Sequence, residues 1–239
     1  MRFRVFIFFL TIFAACGPRP EIKVEVLKSF QEVWDGYLEY YDNINSLAFS
    51  GNLTITAGKV YDCKLQLIYA SPDSFAFLTE GALGIDLARG AIIGDSGFWE
   101  ITREEFHETI KYGDRIFFED GQFWIDIEQL LQAVFFFRDN SNFQFEKQLG
   151  SRFVYSSTYN GSKKIVEINR DSLTPVRQIF YNPADTVFIE YYDWNRLPVS
   201  RFPGRMTINS RLSGAKVEYV IKKLRINPDV KLSNFLPKL

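Results

Sequence analysis

The sequence predicts a mainly β protein of the α+β class, built on one curved antiparallel sheet with two inserted helices. About ten short stretches after residue 46 alternate apolar and polar side chains, which is the period of a strand with one buried face. Gly, Asn, Pro and Ser residues separate these stretches at hairpin-like intervals. No Pro/Ser-rich linker and no internal repeat follows residue 25, so we expect a single domain over residues 26–239.

The first sixteen residues have the order of a bacterial lipoprotein signal. Arg2 and Arg4 are followed by an apolar run, Val5–Phe13, and then by a pair of alanines at 14–15 directly before Cys16. Such a run is too short to remain in a bilayer as a spanning helix and is typical of a signal peptide that is removed. A plain signal peptide with an incidental cysteine is the alternative.

Residues 1–15 are therefore interpreted as the signal peptide and Cys16 as the lipidation site. In bacterial lipoproteins this thiol receives a diacylglyceryl group, and the amino group freed by cleavage receives a further acyl chain such as palmitate. Several acyl chains, at about 0.8 kcal/mol per buried CH₂, hold a protein stably on a membrane. Residues 16–25, which include Gly17–Pro20, are expected to form an extended tether.

The domain itself begins with an element of helical period and continues with a hairpin. Apolar residues at helical spacing predict an amphipathic helix from about Val26 to Asn43, with Gly36 as a weak point. After the helix the period changes to two. The runs 47–55 and 61–69 flank Ala57-Gly58, which predicts a hairpin between two strands.

Further strands follow, with one helix among them. Asp126 is expected to cap this second helix, whose apolar stripe begins at Ile127 and ends at Phe135. Residues 103–124 are predicted to contain only short extended pieces. The other strands are predicted at 75–77, 85–93, 98–101, 106–110, 115–118, 143–145, 153–155, 165–167, 176–180, 187–191, 206–208 and 217–221.

Three consecutive strands near the N-terminus share one apolar phase. The residues in that phase are Leu53, Ile55, Leu65, Leu67, Phe75 and Phe77. With 24 Phe and 12 Tyr, the chain has enough aromatic side chains to line a cavity as well as to fill a core. The six side chains are therefore predicted to point to the concave side of the sheet and to form a lipid-binding cavity. A purely structural core has the same pattern and is the alternative.

Charge and residue usage exclude several classes of function. The 28 Lys and Arg residues are balanced by 29 Asp and Glu, whereas a nucleic-acid-binding protein would favour a strongly basic face. With His107 as the single histidine and Cys63 as the single cysteine besides Cys16, no Cys/His zinc site is expected. No Gly-rich phosphate loop or Gly-x-Ser-x-Gly elbow appears. We expect a protein that is not an enzyme and needs no cofactor or metal; hydrolysis by two carboxylates from distant positions is the alternative.

The segment Phe75–Ala88, FAFLTEGALGIDLA, resembles the LolA/LolB lipoprotein-localisation family. The resemblance extends to Phe49–Ile55 after the first helix, to Ile125–Val134, which looks like the family's mid-chain helix, and to a closing hairpin over 202–208 and 215–226. It implies a half-open antiparallel β-barrel with helices capping an apolar concave face. In this family that face holds the acyl chains of lipoproteins in transit.

The resemblance also implies a location and a role for one loop. In LolB-like proteins the leucine of an x-Leu-Gly loop protrudes and helps to pass cargo into the membrane, and Leu83 matches it. We therefore expect a lipid-anchored monomer on the periplasmic face of the outer membrane, which accepts acyl chains or lipoproteins from a periplasmic carrier protein. Gly17 stands where an Asp would signal inner-membrane retention in some bacteria, which favours the outer membrane. A non-catalytic, partner-binding lipoprotein subunit of an envelope assembly is the alternative.

Overall fold

The computed structural model of the 239-residue chain describes residues 28–70, 74–94, 96–101, 106–110, 114–118, 123–126, 142–159, 162–181, 185–194 and 201–229. Within these ranges the chain forms one α-helix, one 3₁₀ turn and fifteen strands. These are α1 (Phe30–Asp42), β1 (Ser46–Ala57), β2 (Lys59–Ala70), β3 (Ser74–Glu80), the 3₁₀ turn (Ala82–Gly84), β4 (Asp86–Ile93), β5 (Ser96–Ile101), β6 (Phe106–Ile110), β7 (Arg115–Phe118), β8 (Phe123–Asp126), β9 (Gln144–Leu149), β10 (Arg152–Tyr159), β11 (Ser162–Asn169), β12 (Thr174–Tyr181), β13 (Thr186–Tyr192), β14 (Arg205–Ser210) and β15 (Lys216–Ile226).

Thirteen of these strands form one open antiparallel sheet, which confirms the predicted fold class. Their order is β6-β5-β4-β3-β2-β1-β15-β14-β13-β12-β11-β10-β9, and β7 and β8 form a separate two-stranded sheet. β1 pairs with β15, so the two halves of the chain join at the middle of the sheet. β6 and β9 are the edges of the described sheet and do not pair with each other. The architecture is therefore a half-open sheet and not a closed barrel.

The alternating turns place six connections at one end of the sheet, which we call the tip end. They are the β1–β2, β3–β4, β5–β6, β10–β11, β12–β13 and β14–β15 connections. The first of them is the predicted hairpin: Ala57 pairs with Lys59 across Gly58, which has a φ of 72°. Glycine adopts this left-handed conformation without a steric cost, so the turn fits the predicted sequence signal.

Helix α1 packs on one face of the sheet, which we call the inner face. The helix begins at a capping box, in which Ser29 Oγ accepts from the N–H of Glu32 while the Glu32 carboxylate accepts from the N–H of Ser29. Val33, Tyr37 and Tyr41 are four residues apart and are buried on its sheet-facing side. The predicted start near residue 26 lies outside the described residues, and the observed end at Asp42 agrees with the prediction.

Glycines stand where neighbouring strands approach each other closely. A β-bulge separates Ser50 from Gly51 in β1, and a Cβ at Gly51 would collide with the backbone carbonyl of Val220 in β15. On β4, a Cβ at Gly90 would lie 2.6 Å from the ring of Phe77 on β3. Bulges and glycines of this kind let neighbouring strands approach and are general sources of sheet curvature.

Two predicted segments fall outside the described residues. One is the N-terminal signal and tether with Cys16. The other is the second helix: Asp126 is the last residue of β8, and the helix predicted to follow it from Ile127 lies in residues that the structure does not describe. In the part of the chain that is described, no helix is long and apolar enough to span a bilayer.

Candidate functional site

The six residues predicted to line a cavity lie side by side on the inner face. The strand register pairs Leu67 with Phe77 and places Leu53 opposite Cys63, so the shared phase on β1, β2 and β3 is a shared face of the sheet. Leu53, Leu65, Leu67 and Phe75 are buried, whereas Ile55 and Phe77 are half-buried and pack against the same core. The structure therefore brings all six into one apolar surface.

Helix α1 covers the other half of the inner face, formed by the strands from β9 to β14. Trp34 lies 4.6 Å from the ring of Tyr155 on β10 and 5.0 Å from Phe143, while Phe30 stacks on Phe145 of β9 at 4.5 Å. Ring pairs at these separations contribute about 0.5–1.5 kcal/mol each beyond the area they bury. Gly36 is close enough to the sheet that a Cβ there would lie 2.9 Å from Leu173, which gives a structural reason for a glycine inside this helix.

Two tyrosine hydroxyls attach the helix to the rest of the protein. The Tyr155 hydroxyl donates to the carbonyl oxygen of Phe30 at 2.5 Å, and the Tyr41 hydroxyl donates to the carbonyl oxygen of Arg201 at 2.6 Å. Arg201 in turn lies over the ring of Tyr40 at 4.7 Å. Burial raises the pKa of both the Tyr41 and Tyr155 hydroxyls, so each stays protonated and able to donate at neutral pH. Each of these two hydrogen bonds contributes about 0.5–1.5 kcal/mol to the docking of α1.

A small cavity lies on the inner face near the middle of the sheet. The cavity, between β1, β14 and β15, has a volume of only about 10 Å³, close to the minimum that holds one water molecule. Its lining is entirely apolar: Leu47, Phe49, Phe202, Pro203, Met206, Ile221 and Leu224. An acyl chain does not fit into this space. None of the six residues predicted to line a cavity borders it.

Leu83 lies at the tip end, in the 3₁₀ turn between β3 and β4. Its side chain is 98% exposed, and its backbone has a φ of 63°, a conformation that costs a non-glycine residue about 1–3 kcal/mol. The loop is closed by a hydrogen bond from the N–H of Gly81 to the carbonyl of Ile85. A strained turn thus presents an apolar side chain to solvent, as expected for the protruding leucine of an x-Leu-Gly loop.

Other exposed apolar side chains share the tip end with Leu83. Six of the ten large exposed hydrophobic residues of the described chain belong to this end: Val60, Tyr61, Leu83, Ile85, Tyr181 and Leu212. Single exposed apolar residues are common and carry little information, whereas a contiguous apolar patch marks a contact surface.

The described residues offer little for catalysis or for metal binding. Cys63 is a free, half-buried cysteine, and burial raises the pKa of its thiol from 9.0 to about 11, so it is not a thiolate at neutral pH. No group of three or more His, Cys, Asp and Glu side chains lies close enough to hold a metal ion in the described ranges. On the outer face, the buried Glu167 carboxylate pairs with Arg152 and Arg177 and joins three strands, which is a structural arrangement. Cys16 lies outside the described residues.

The structural contacts of α1 were not among the sequence predictions. Phe30 and Tyr155 are 125 positions apart, and Tyr41 and Arg201 are 160 apart. Neither separation leaves a local pattern, although the helical spacing of the tyrosines did indicate that they face the sheet.

Solved structures of other proteins are similar to this chain over most of its length. A protein of the DUF1329 family from Desulfovibrio piger superposes with a TM-score of 0.64 at 13% identity, covering 85% of this chain and 97% of that one. A LolA superfamily protein from Nitrosomonas europaea gives a TM-score of 0.60 at 13% identity, with the same coverages. A domain from Vibrio parahaemolyticus, described as an outer membrane lipoprotein-sorting protein domain, gives 0.59 at 13% identity, over 85% of this chain and 94% of that one.

At this level of identity, the likeness to solved structures shows the fold alone. No protein-family model and no curated protein matches the chain. The fold is LolA-like, which confirms the fold that the resemblance implied, and it is a fold found among lipoprotein-sorting proteins.

Proposed function

We propose that this chain is a lipid-anchored envelope protein that binds acyl chains or lipoproteins on its inner face and passes them to the outer membrane. The anchor is Cys16, and the donor is a periplasmic carrier protein. The observation that supports this proposal most is the largely apolar inner face of an open sheet, covered in part by a helix. The LolA-like fold of the similar structures supports the same class of ligand.

Binding in this proposal requires α1 to move. The acyl chain enters where α1 moves away from the strands beneath it, and it then extends along the inner face to Leu53, Leu65, Leu67 and Phe75. Each CH₂ moved from water to this surface contributes about 0.8 kcal/mol, so a long acyl chain offsets the cost of opening.

Leu83 and its neighbours at the tip end contact the membrane during transfer. One leucine inserted into the acyl boundary is worth about 1.5–3 kcal/mol. That is too little to anchor the protein, but it changes a transfer rate by a factor of about ten or more. The turn has a positive φ at Leu83 and leaves the Leu83 side chain almost fully exposed, outside the sheet.

The binding half of the proposal is tested with a fatty acid and two tryptophan variants on one strand. Leu65→Trp fills the inner face, whereas Gln66→Trp places the same ring on the exposed outer face of β2. Native mass spectrometry of the purified full-length chain incubated with palmitate should show a non-covalent adduct for the wild type and for Gln66→Trp, and a reduced adduct for Leu65→Trp. An adduct of equal abundance in all three proteins would contradict the assignment of the inner face.

The transfer half is tested with a charge at each end of the sheet. Leu83→Glu should leave the fold and lipidation intact and slow the transfer of a fluorescent fatty acid to liposomes about tenfold. Ile93→Glu, half-exposed at the opposite end, is the matched control and should transfer at the wild-type rate. If both variants or neither variant transfers slowly, Leu83 has no specific role.

A second candidate function has one observation in its favour. β9 is an edge strand of the described sheet, and all six of its side chains are exposed. An exposed edge is a template for an added strand, which fits the alternative of a partner-binding subunit in an envelope assembly. A stoichiometric protein that co-purifies with wild type and is lost when Gln148 is replaced by Pro would favour this reading over lipid transfer.

A further inference from the structure

The β14–β15 turn is fixed by a network of buried polar side chains. The Asp185 carboxylate accepts hydrogen bonds from the Ser210 hydroxyl and from the backbone N–H groups of Thr186 and Leu212. Ser213 donates both its N–H and its hydroxyl to the Ser210 hydroxyl. Asp185, Ser210 and Ser213 are all buried, and hydrogen bonds of this kind offset the cost of removing a carboxylate from water. The backbone of the turn is therefore ordered before any partner binds.

This ordered turn presents an apolar side chain to solvent. Leu212 is 65% exposed, and among the large hydrophobic residues of the described chain only Leu83 is more exposed. The N–H of Leu212 is bound to Asp185, and the N–H of Arg211 donates to the carbonyl of Thr186, so both residues are held against the start of β13. An apolar side chain on an ordered turn gains from burial in another phase without the entropy cost of ordering its backbone.

The β1–β2 turn lies next to the β14–β15 turn and adds a second exposed apolar side chain. β1 pairs with both β2 and β15, and the register places Thr56 between Val60 and Lys216. A strand spacing of about 4.8 Å puts the Cα atoms of Val60 and Lys216 about 10 Å apart on the outer face. Val60 is exposed. The two turns thus form one surface at the tip end, which we call the basic tip and define as residues 57–60 and 211–216.

The charge of the basic tip is opposite to that of a membrane surface that contains anionic lipids. The basic tip has no Asp or Glu and has three cations: Lys59, Arg211 and Lys216. Lys216 Nζ lies 3.6 Å from the carboxylate of Glu218, whereas Arg211 is exposed beside Leu212. Cations next to exposed apolar side chains are typical of surfaces that bind the interface of an anionic bilayer.

We infer that the basic tip docks on a bilayer that contains anionic phospholipids, with Leu212 and Val60 in the headgroup layer and Arg211 against the lipid phosphates. The inference rests on the proposed contact between the tip end and the membrane, and it specifies the lipid class and a second turn that takes part. The turn that holds Leu83 is flanked by Glu80 and Asp86 and has no cation of its own. The selection of anionic lipid is therefore assigned to the β14–β15 turn.

The test identifies the lipids that touch each turn. The photoreactive amino acid benzoylphenylalanine is placed at Leu212, at Leu83 or, as a control at the opposite end of the sheet, at Ile93 of the full-length chain. Each protein is reconstituted with vesicles of phosphatidylcholine that contain a minority of phosphatidylglycerol, and mass spectrometry counts the adducts with each lipid. We expect lipid adducts at Leu212 and Leu83 and none at Ile93. At Leu212, phosphatidylglycerol should be enriched about fivefold over its share of the vesicle, and Arg211→Gln should remove this enrichment.

The outcomes separate this inference from the function on which it rests. Adducts at Leu83 without adducts at Leu212 would overturn the inference and leave the proposed role of Leu83 standing. Adducts at Leu212 in proportion to the vesicle composition, or an enrichment that Arg211→Gln retains, would overturn the selection of anionic lipid. Adducts at neither turn, or equal adducts at Ile93, would contradict the membrane contact of the tip end and with it the transfer half of the proposed function. Because the two lipids compete within one vesicle, the enrichment does not depend on how tightly a variant binds.

Discussion

Replacing Tyr155 by Phe should strengthen acyl-chain binding even though it weakens the protein. The hydroxyl of Tyr155 donates to the carbonyl of Phe30 at the start of α1, and it attaches the helix together with the Tyr41 hydroxyl. Its removal costs the closed form about 0.5–1.5 kcal/mol and leaves the ring in place. If ligand enters only when α1 is displaced, the free energy of the open form relative to the closed form falls by the same amount. The fraction of open protein therefore rises.

The expected size of the effect follows from this difference. The apparent dissociation constant of a ligand that binds a minor open form is the intrinsic constant divided by the open fraction. A shift of about 0.5–1.5 kcal/mol therefore lowers the apparent constant about two- to thirteen-fold. Fluorescence titration with a labelled fatty acid measures the constant, and urea denaturation of the same samples measures the loss of stability.

Tyr192→Phe is the matched control for this experiment. Tyr192 lies on the outer face and donates its hydroxyl to the Glu190 carboxylate at 2.9 Å, so it also loses one hydrogen bond but does not touch α1. Its affinity for the fatty acid should stay at the wild-type value. A Tyr155→Phe variant that is destabilised yet binds no more tightly than Tyr192→Phe would refute the opening of α1 as the route of entry.

Three further predictions address the anchor, the curvature of the sheet and the pH dependence of stability. Cys16→Ser should leave the protein soluble or uncleaved. The anchor would be contradicted if the variant fractionated with membranes as the wild type does and the wild-type N-terminus carried no lipid mass. Gly51→Ala should lower the free energy of unfolding by about 2 kcal/mol or more because its Cβ meets the Val220 carbonyl, and a wild-type urea midpoint would count against this. Above about pH 9 the unfolding free energy should fall by up to about 1.4 kcal/mol per pH unit and group, because burial raises the folded-state pKa of Cys63 to about 11 and raises that of Tyr219. Below their unfolded pKa values, both groups make their full contribution to the free energy of unfolding, and this contribution is lost as the pH rises. Equal stability at about pH 8 and about pH 11 would contradict this prediction.

Local chemistry was sufficient to predict most of the strands and turns. The Ala57-Gly58 turn and the alternation on either side of it determine the register of β1 and β2, because a slip by one residue would move Leu53 and Leu65 to the outer face. The short pieces at 106–110 and 115–118 were also predicted and are observed as β6 and β7. Periodicity carries this information because each strand has one buried face.

The same patterns did not predict contacts between residues that are far apart in the sequence. The bulge at Gly51 depends on how closely Val220 approaches, which is a property of the β1–β15 pairing and not of either segment. Lys163 and Lys164 are adjacent lysines, and only the register shows that Lys164 points to the inner face. The small cavity between β1, β14 and β15 is lined by Phe202 together with residues of these strands, and the sequence contains no local signal for that contact.

Photo-crosslinking with a diazirine-labelled fatty acid, mapped to single residues by mass spectrometry, tests the central claim most directly. Inner-face and outer-face residues alternate along β1 and β2, so neighbouring positions on one strand serve as each other's control. We predict crosslinks at Leu53, Leu65 and Leu67, and none at Asn52 or Gln66. Crosslinks confined to the outer-face positions, or an absence of crosslinks at saturating fatty acid, would contradict the claim that the inner face binds acyl chains.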